Sequence, residues 1–327
     1  MNGRLENELI ILNKVENKLK EMPRFVEDWY YALRASDCTA TTCSGYVNQI
    51  HLFMLYLNKN TKEVKLSDIT KDSVNGYIIS KRTTERNGEI VETSISTRKT
   101  IWFALNNFLG YLYDSDLINE NYMQNIRKPK NNRQPEPKTF LNEDDFRKML
   151  IAARQSSTDY FYKARNYGMI YLLMATGLRV TALRSINVDD IDWDNNTLTV
   201  IDKGDKTQTY YITEDLMDKL ENVKDHRNDY AKDSPALFIT KQGKRISKEV
   251  VEDLLVKISK GIREDGKPIS PHQIRAGFCS IIYNKTKDIE FVRRAVGHSD
   301  VSTTMRYIVT ENKEREKSSN LITNIFN

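Results

Sequence analysis

Ser270-Pro271-His272-Gln273-Ile274-Arg275, then Gly297-His298-Ser299-Asp300, then Thr303-Thr304-Met305-Arg306-Tyr307: these residues decide how the chain reads. Ser270 has the chemistry of a helix N-cap, Pro271 suits the first helical position, and Gln273 completes a capping box with Ser270. His272 and Arg275, three apart, then share one face of the first turn. Free N–H groups at a helix start beside a histidine and an arginine favour an anion. Two of the chain's 4 histidines fall here, and a tyrosine closes the stretch in a polar, basic setting.

Working upstream, a helix is expected near residues 288–296, between the two histidines. Further helices are expected at about 214–231 and 247–260, with a short strand Ala236-Leu237-Phe238-Ile239 between them. Residues 197–201 and 207–212 alternate as strands. Between them Lys203-Gly204-Asp205-Lys206 forms a hairpin tip carrying two lysines. An apolar helix from Lys163 to Thr176 stops at Gly177, and Arg179 opens the next one. Asn142 to Asp145 begin a helix through Ala153. Asp189, Asp190, Asp192 and Asp194 resemble a carboxylate metal site, but a turn leading into a strand accounts for them, and no metal is expected.

Residues 1–126 read as a helical bundle. Apolar positions recur at helical spacing in 4–20, in Phe25–Leu33, after caps at Thr39–Thr42, from Ser67 to Lys81, and after a cap at Ser96 or Thr97. His51 beside the third stripe reads as a surface residue. Residues 83–95 read as a polar loop. Arg98 and Lys99 sit at the start of the last helix, where cations oppose the helix dipole; a phosphate contact and a solvated face both explain them. Residues 127–139 follow as a basic, proline-containing linker with Arg127, Lys128, Lys130 and Arg133, a semi-extended connector suited to the backbone of a nucleic acid.

The net charge of +5, from 50 basic and 45 acidic residues, is too small to identify a partner. With 39% hydrophobic and 29% charged residues the composition is that of a globular protein long enough for two domains. No apolar run approaches a membrane span, and the N-terminus is charged throughout, without a signal-peptide core. Three cysteines (Cys38, Cys43, Cys279) without metal-ligand spacing suggest a reduced, cytoplasmic protein.

Breaking a phosphodiester without a metal requires donors for the non-bridging oxygens, a nucleophile, and an acid for the leaving oxygen. Two arginines supply permanently charged bidentate donors. Histidine adds a donor or base, lysine an acid, and tyrosine a covalent nucleophile. A tyrosine with an ordinary pKa of about 10 needs cations around it to ionise.

At these residues the sequence resembles the tyrosine recombinase (phage integrase) family. Ala175-Thr176-Gly177-Leu178-Arg179 is similar to its first arginine motif, and Lys203-Gly204-Asp205-Lys206 to its hairpin lysine motif. Pro271-His272-Gln273-Ile274-Arg275 is similar to its His-x-x-Arg box. Val296-Gly297-His298-Ser299 with Thr304-Met305-Arg306-Tyr307 is similar to its last box.

The resemblance implies six catalytic residues, Arg179, Lys203, His272, Arg275, His298 and the nucleophile Tyr307. DNA contacts are expected from Arg98, Lys99, Arg127, Lys128, Lys130, Arg133 and Lys206. It implies a mainly α fold with a small β-sheet in two domains. These are an all-α, SAM-like core-binding domain over 1–126 and a mixed α+β catalytic domain over 140–311, joined by the linker 127–139. A tail, 312–327, would dock on a neighbouring protomer. The reaction would be site-specific strand cleavage and rejoining of double-stranded DNA through a 3′-phosphotyrosyl intermediate and a Holliday junction, by a tetramer on two sites. Integration, excision or dimer resolution would follow, with room for an accessory DNA-bending or directionality factor. No cofactor is implied.

Three supporting positions depart from the family pattern. Ala182 stands where an acid is usual, and Ala276 where a second histidine often follows. The strand after the hairpin reads Gln208-Thr209-Tyr210-Tyr211-Ile212, without the usual basic residue and Val-Pro. A tyrosine-type DNA topoisomerase and a DNA-binding protein without catalysis are the alternatives.

Overall fold

A computed structural model describes residues 3–130, 140–201, 207–263 and 266–297. The chain divides into two compact units, one spanning 5–135 and the other built on 136–327.

In the first unit the helices are α1 (Gly3–Leu19), α2 (Arg24–Ala35), α3 (Ala40–Leu57), α4 (Lys71–Ser80) and α5 (Ile95–Asp114). The apolar stripe of α3 closes on that of α5, with Ile50, Phe53, Leu105, Phe108 and Leu112 fully buried. Each such side chain contributes about 1.5–3 kcal/mol by leaving water. Trp29 of α2 meets Phe108 edge-on at 5.2 Å and donates its indole N–H to Asn107 at 2.8 Å. Buried aromatic and polar demands are thus met by the same helix pair.

Four sequence expectations shift here. The helix foreseen from Ser67 is a short 3-10 turn, Leu66–Asp68, followed by α4 with Thr70 as its N-cap. The cap of α5 is Ser94, which accepts from the Thr97 N–H, rather than Ser96 or Thr97. The polar loop foreseen at 83–95 contains a hairpin of β1 (Thr83–Arg86) and β2 (Glu89–Glu92), paired Arg86↔Glu89 through Thr83↔Glu92. Asn87 and Gly88 form its turn with φ of 52° and 82°, the left-handed pair that a two-residue hairpin turn requires. Almost every strand residue is exposed, so no alternating apolar pattern announced it. His51 is half-buried, not fully on the surface, and burial lowers its pKa.

The second unit contains α6 (Glu143–Arg154), α7 (Tyr160–Thr176), α8 (Val180–Ser185), β3 (Ile191–Asp192), β4 (Thr197–Ile201), β5 (Thr207–Tyr211), α9 (Glu214–Asn228), α10 (Lys248–Ile258), α11 (Pro271–Thr286) and α12 (Ile289–Ala295). The sheet is antiparallel in the order β3-β4-β5, with Val200 opposite Gln208 and Leu198 opposite Tyr210. Its inner residues Leu198, Val200 and Tyr210 join the core. Helix α7 is the central post. Met169, Ile170, Leu172 and Leu173 are all buried, and α6, α9 and α11 pack around it. It begins at Asp159, earlier than Lys163, because the Asp159 carboxylate accepts from the Tyr162 N–H.

The strand foreseen at Ala236–Ile239 is instead two isolated bridges, Asn187↔Ala236 and Ile239↔Arg245. Ala236, Leu237, Phe238 and Ile239 are all buried, but each partner segment offers one paired residue, too little for a ladder. Among the described residues no helix is long and apolar enough to cross a membrane. The carboxylates around residue 190 serve turns: Asp190 accepts from the Asn187 N–H, and Asp192 accepts from the Asp194 and Asn195 N–H groups.

Candidate active site

Three chain reversals position the described motif residues, Arg179, His272 and Arg275. The first ends α7. Gly177 adopts the left-handed conformation, φ 63°, and its N–H closes on the Leu173 carbonyl. A Cβ at this position would sit 2.6 Å from the Phe278 ring of α11, so glycine is required by backbone and by packing alike. The turn leaves Arg179, half-buried, in extended backbone as the N-cap of α8.

The second reversal is the start of α11. The Ser270 hydroxyl accepts from the Gln273 N–H, and the Gln273 side-chain oxygen accepts from the Ser270 N–H at 2.8 Å. With that turn fixed, His272 is exposed and Arg275 is 2% exposed. Arginine is seldom buried unless its donors are used. Here one Nη donates to the Gly177 carbonyl and the other to the Val296 carbonyl, each at 2.6 Å. The side chain therefore joins the end of α7 to the end of α12.

The third reversal ends α12. The last carbonyls of a helix lack intrahelical partners, and three in a row are met here from outside the helix's own ladder. Arg294 receives the Gly297 N–H at 3.1 Å. Ala295 receives the side-chain amide of Gln208 at 3.2 Å. Val296 receives Arg275. Gly297, at φ 65°, turns the chain immediately before His298. A small apolar cluster of Cys279, Val292 and Val296, backed by Phe278, holds α12 against α11. Burial pushes the Cys279 thiol up to about 11, which removes it as a nucleophile near neutral pH.

Of the six expected catalytic residues, Arg179, His272 and Arg275 are described, and their backbones converge through the Arg275 bridge. Lys203, His298 and Tyr307 lie outside the described residues, as do Lys206 and Arg133 among the expected DNA contacts. The tail 312–327 lies outside them too. The departures have structural counterparts. Ala182 and Ala276 are both buried, and Ala182 lines a cavity of about 200 Å³ with Ser185, Asp190, Thr199 and Thr207. Burial raises the Asp190 pKa against the lowering effect of its bond from Asn187.

In the first unit Arg98 is committed to an ion pair with Glu92 at 3.0 Å, bridging the hairpin to α5. Lys99 is half-buried. Arg127, Lys128 and Lys130 are exposed, and the Lys128 ammonium lies 4.4 Å from the centre of the Phe103 ring. Among the described residues no cluster of three or more metal-ligating side chains occurs. Sequence reasoning missed Gln208 as a structural participant; its only signal was its place between the lysine hairpin and the core strand.

The phage integrase family model matches residues 139–314. Tyrosine recombinase XerC of Caldanaerobacter subterraneus subsp. tengcongensis is 30% identical, aligned over 92% of this chain and 87% of its own. Tyrosine recombinase XerD of Listeria monocytogenes is 28% identical over 88% of this chain and 94% of its own. The fold is shared with the XerH site-specific recombinase bound to its difH substrate, at 20% identity and a TM-score of 0.64 over 87% of this chain and 80% of that one. It is shared also with a lambda integrase tetramer bound to a Holliday junction, at 16% identity and a TM-score of 0.61 over 88% of this chain and 76% of that one. With the family model spanning more than half its length and a curated relative 30% identical over most of it, the chain belongs to the phage integrase family of tyrosine recombinases.

Proposed function

We propose that this tyrosine recombinase breaks and rejoins duplex DNA with Tyr307 as nucleophile, Arg179, Arg275, His272 and His298 holding the scissile phosphate, and Lys203 acting as the acid. Tyr307 gives up its phenol proton to solvent, its oxygen attacks phosphorus, and the bond to the 5′ oxygen breaks. That oxygen takes a proton from Lys203 and leaves as a hydroxyl. A 5′-hydroxyl from a partner strand then returns a proton to Lys203, attacks the phosphotyrosine and re-forms the phosphodiester, and the released Tyr307 phenolate takes up a proton from solvent. The phosphotyrosyl link conserves the energy of the broken bond, so resealing needs no nucleotide.

One observation carries this reading: Arg275 is buried with two donors on the Gly177 and Val296 carbonyls, which draws Arg179 and the backbone leading to His298 toward one place. The helical unit 1–126 and the linker 127–139 take the role of gripping DNA, and the domain 140–311 that of catalysis. Residues 312–327 dock on a neighbour within a tetramer that passes through a Holliday junction; the lambda integrase of similar fold is a tetramer bound to such a junction. The work is done in the cytoplasm on nucleoid DNA. A topoisomerase or an inactive binding protein is disfavoured, because the matching relatives are recombinases and Arg179 and Arg275 are both in place.

The test uses a pool of nicked duplexes of randomised sequence, in which the short cleaved strand is lost and the covalent adduct is trapped. Wild-type protein gives a denaturant-resistant protein–DNA adduct whose bound sequences define the site. Tyr307→Phe gives none, and Arg179→Ala slows adduct formation by about 10²–10³-fold. An adduct that persists in Tyr307→Phe overturns the assignment.

A further inference from the structure

We infer that Gln208 is a positioning residue for the reaction, tying the strand that follows the lysine hairpin to the helix end that precedes His298. The inference rests on the function proposed above. Gln208 lies on β5, two residues past the 202–206 segment and on the same face as the buried Tyr210. Its side-chain amide crosses to α12, donating to the Ala295 carbonyl at 3.2 Å and lying 3.5 Å from the Arg294 carbonyl. The two elements are 87 residues apart in sequence.

The contact is built from both sides. A Cβ at Gly297 would come within 2.3 Å of the Gln208 side-chain oxygen, so only glycine admits the side chain this close. The next carbonyl of the same helix end, Val296, is held by Arg275. Gln208 and Arg275 therefore hold adjacent carbonyls at the end of α12. Val200 and Gln208 are paired across β4 and β5, so the grip is anchored in the sheet and not on a free loop. The sequence offers a functional reason for it: the proposed acid Lys203 lies five residues before Gln208 and the proposed phosphate donor His298 three after Ala295, and one phosphate has to meet both. A misplacement of about 1 Å at such a site lowers a rate by as much as about 10²-fold.

Gln208 touches neither phosphate nor leaving group in this account; it acts through the backbones it joins. The signature is therefore a loss of rate without a loss of binding. Gln208→Met keeps length and shape and removes the donor, and Gln208→Lys restores a donor. Single-turnover adduct formation is measured on the duplex selected by the wild type, together with equilibrium binding to that duplex and the melting temperature. Gln208→Met is expected to slow adduct formation about tenfold while affinity stays within about twofold and melting is unchanged, and Gln208→Lys to recover most of the rate. If the wild type forms an adduct and Gln208→Met forms it equally fast, the inference fails and the proposed function stands. If rate, affinity and melting fall together in Gln208→Met, Gln208 is a prop for the fold, and the inference fails as well. If the wild type forms no adduct, both readings fail together.

Discussion

The guanidinium of Arg275 and the carbonyl of Gly177 are 98 residues apart in sequence and 2.6 Å apart in space. With a second bond to Val296, a residue expected to grip phosphate also holds the scaffold closed. Arg275→Lys tests that dual role. An ammonium on a single stem cannot reproduce the two-pronged geometry, so one buried carbonyl loses its partner at a cost of about 1–3 kcal/mol. The urea midpoint should fall and adduct formation should vanish. A variant that unfolds at the wild-type midpoint would show that the bridge contributes nothing to stability.

Gly177 and Phe278 make a second test. Gly177→Ala places a methyl group 2.6 Å from the Phe278 ring in backbone with φ of 63°. Left-handed strain of about 1–2 kcal/mol adds to overpacking of about 1–3 kcal/mol. Combining it with Phe278→Ala removes the steric part only, so the double variant should be more stable than the sum of the singles predicts. Strict additivity in denaturant melts would exclude the clash.

The role proposed for Lys203 is open to a chemical rescue. Replacing the 5′-bridging oxygen of the scissile phosphate by sulfur gives a leaving group that departs as a thiolate without a proton. Lys203→Ala should be slowed by about 10²–10⁴-fold on the oxygen substrate and should approach wild-type speed on the sulfur one. An equal defect on both substrates would move the acid elsewhere.

A pH effect on stability follows from α6 and α11. Glu143 and Lys285 meet at 2.9 Å, and the hydrogen bond and charge of Lys285, with a smaller part from Arg147, hold the Glu143 carboxyl below its usual range. A depressed carboxylate stabilises the fold above its unfolded pKa and loses that contribution as pH falls through the folded value. Wild type should therefore melt above Glu143→Gln at neutral pH, with the gap closing below about pH 4. The pair is exposed, so the difference is small, and a gap that widens on acidification would reverse the sign argued here.

The helices and the fold class were legible because their signals are local. Ser270 and Gln273 form the capping box that their spacing implies, and the stripes of α3 and α5 form the core that their periodicity implies. The hairpin at Thr83–Glu92 was hidden, since its strands are charged and exposed and only the Asn87-Gly88 pair gave a sign. Ala236–Ile239 misled for the opposite reason: burial without a continuous partner strand looks like a strand in sequence. Within the candidate site, chemistry was written in residue types, but the burial of Arg275 was not. Nor was the reach of Gln208 to α12, because both depend on elements nearly a hundred residues away.

The bridge at Arg275 also bears on how this protein can decay over generations. A lineage that abandoned recombination but kept DNA binding could lose the hydroxyl of Tyr307 without loosening the Gly177–Arg275–Val296 tie. It could not discard Arg275 so freely, since the joint between three helices would go with the proposed phosphate donor. Silent descendants of this enzyme should therefore retain the arginine long after the tyrosine has drifted, and a genome survey would find the arginine as the fossil of the lost activity.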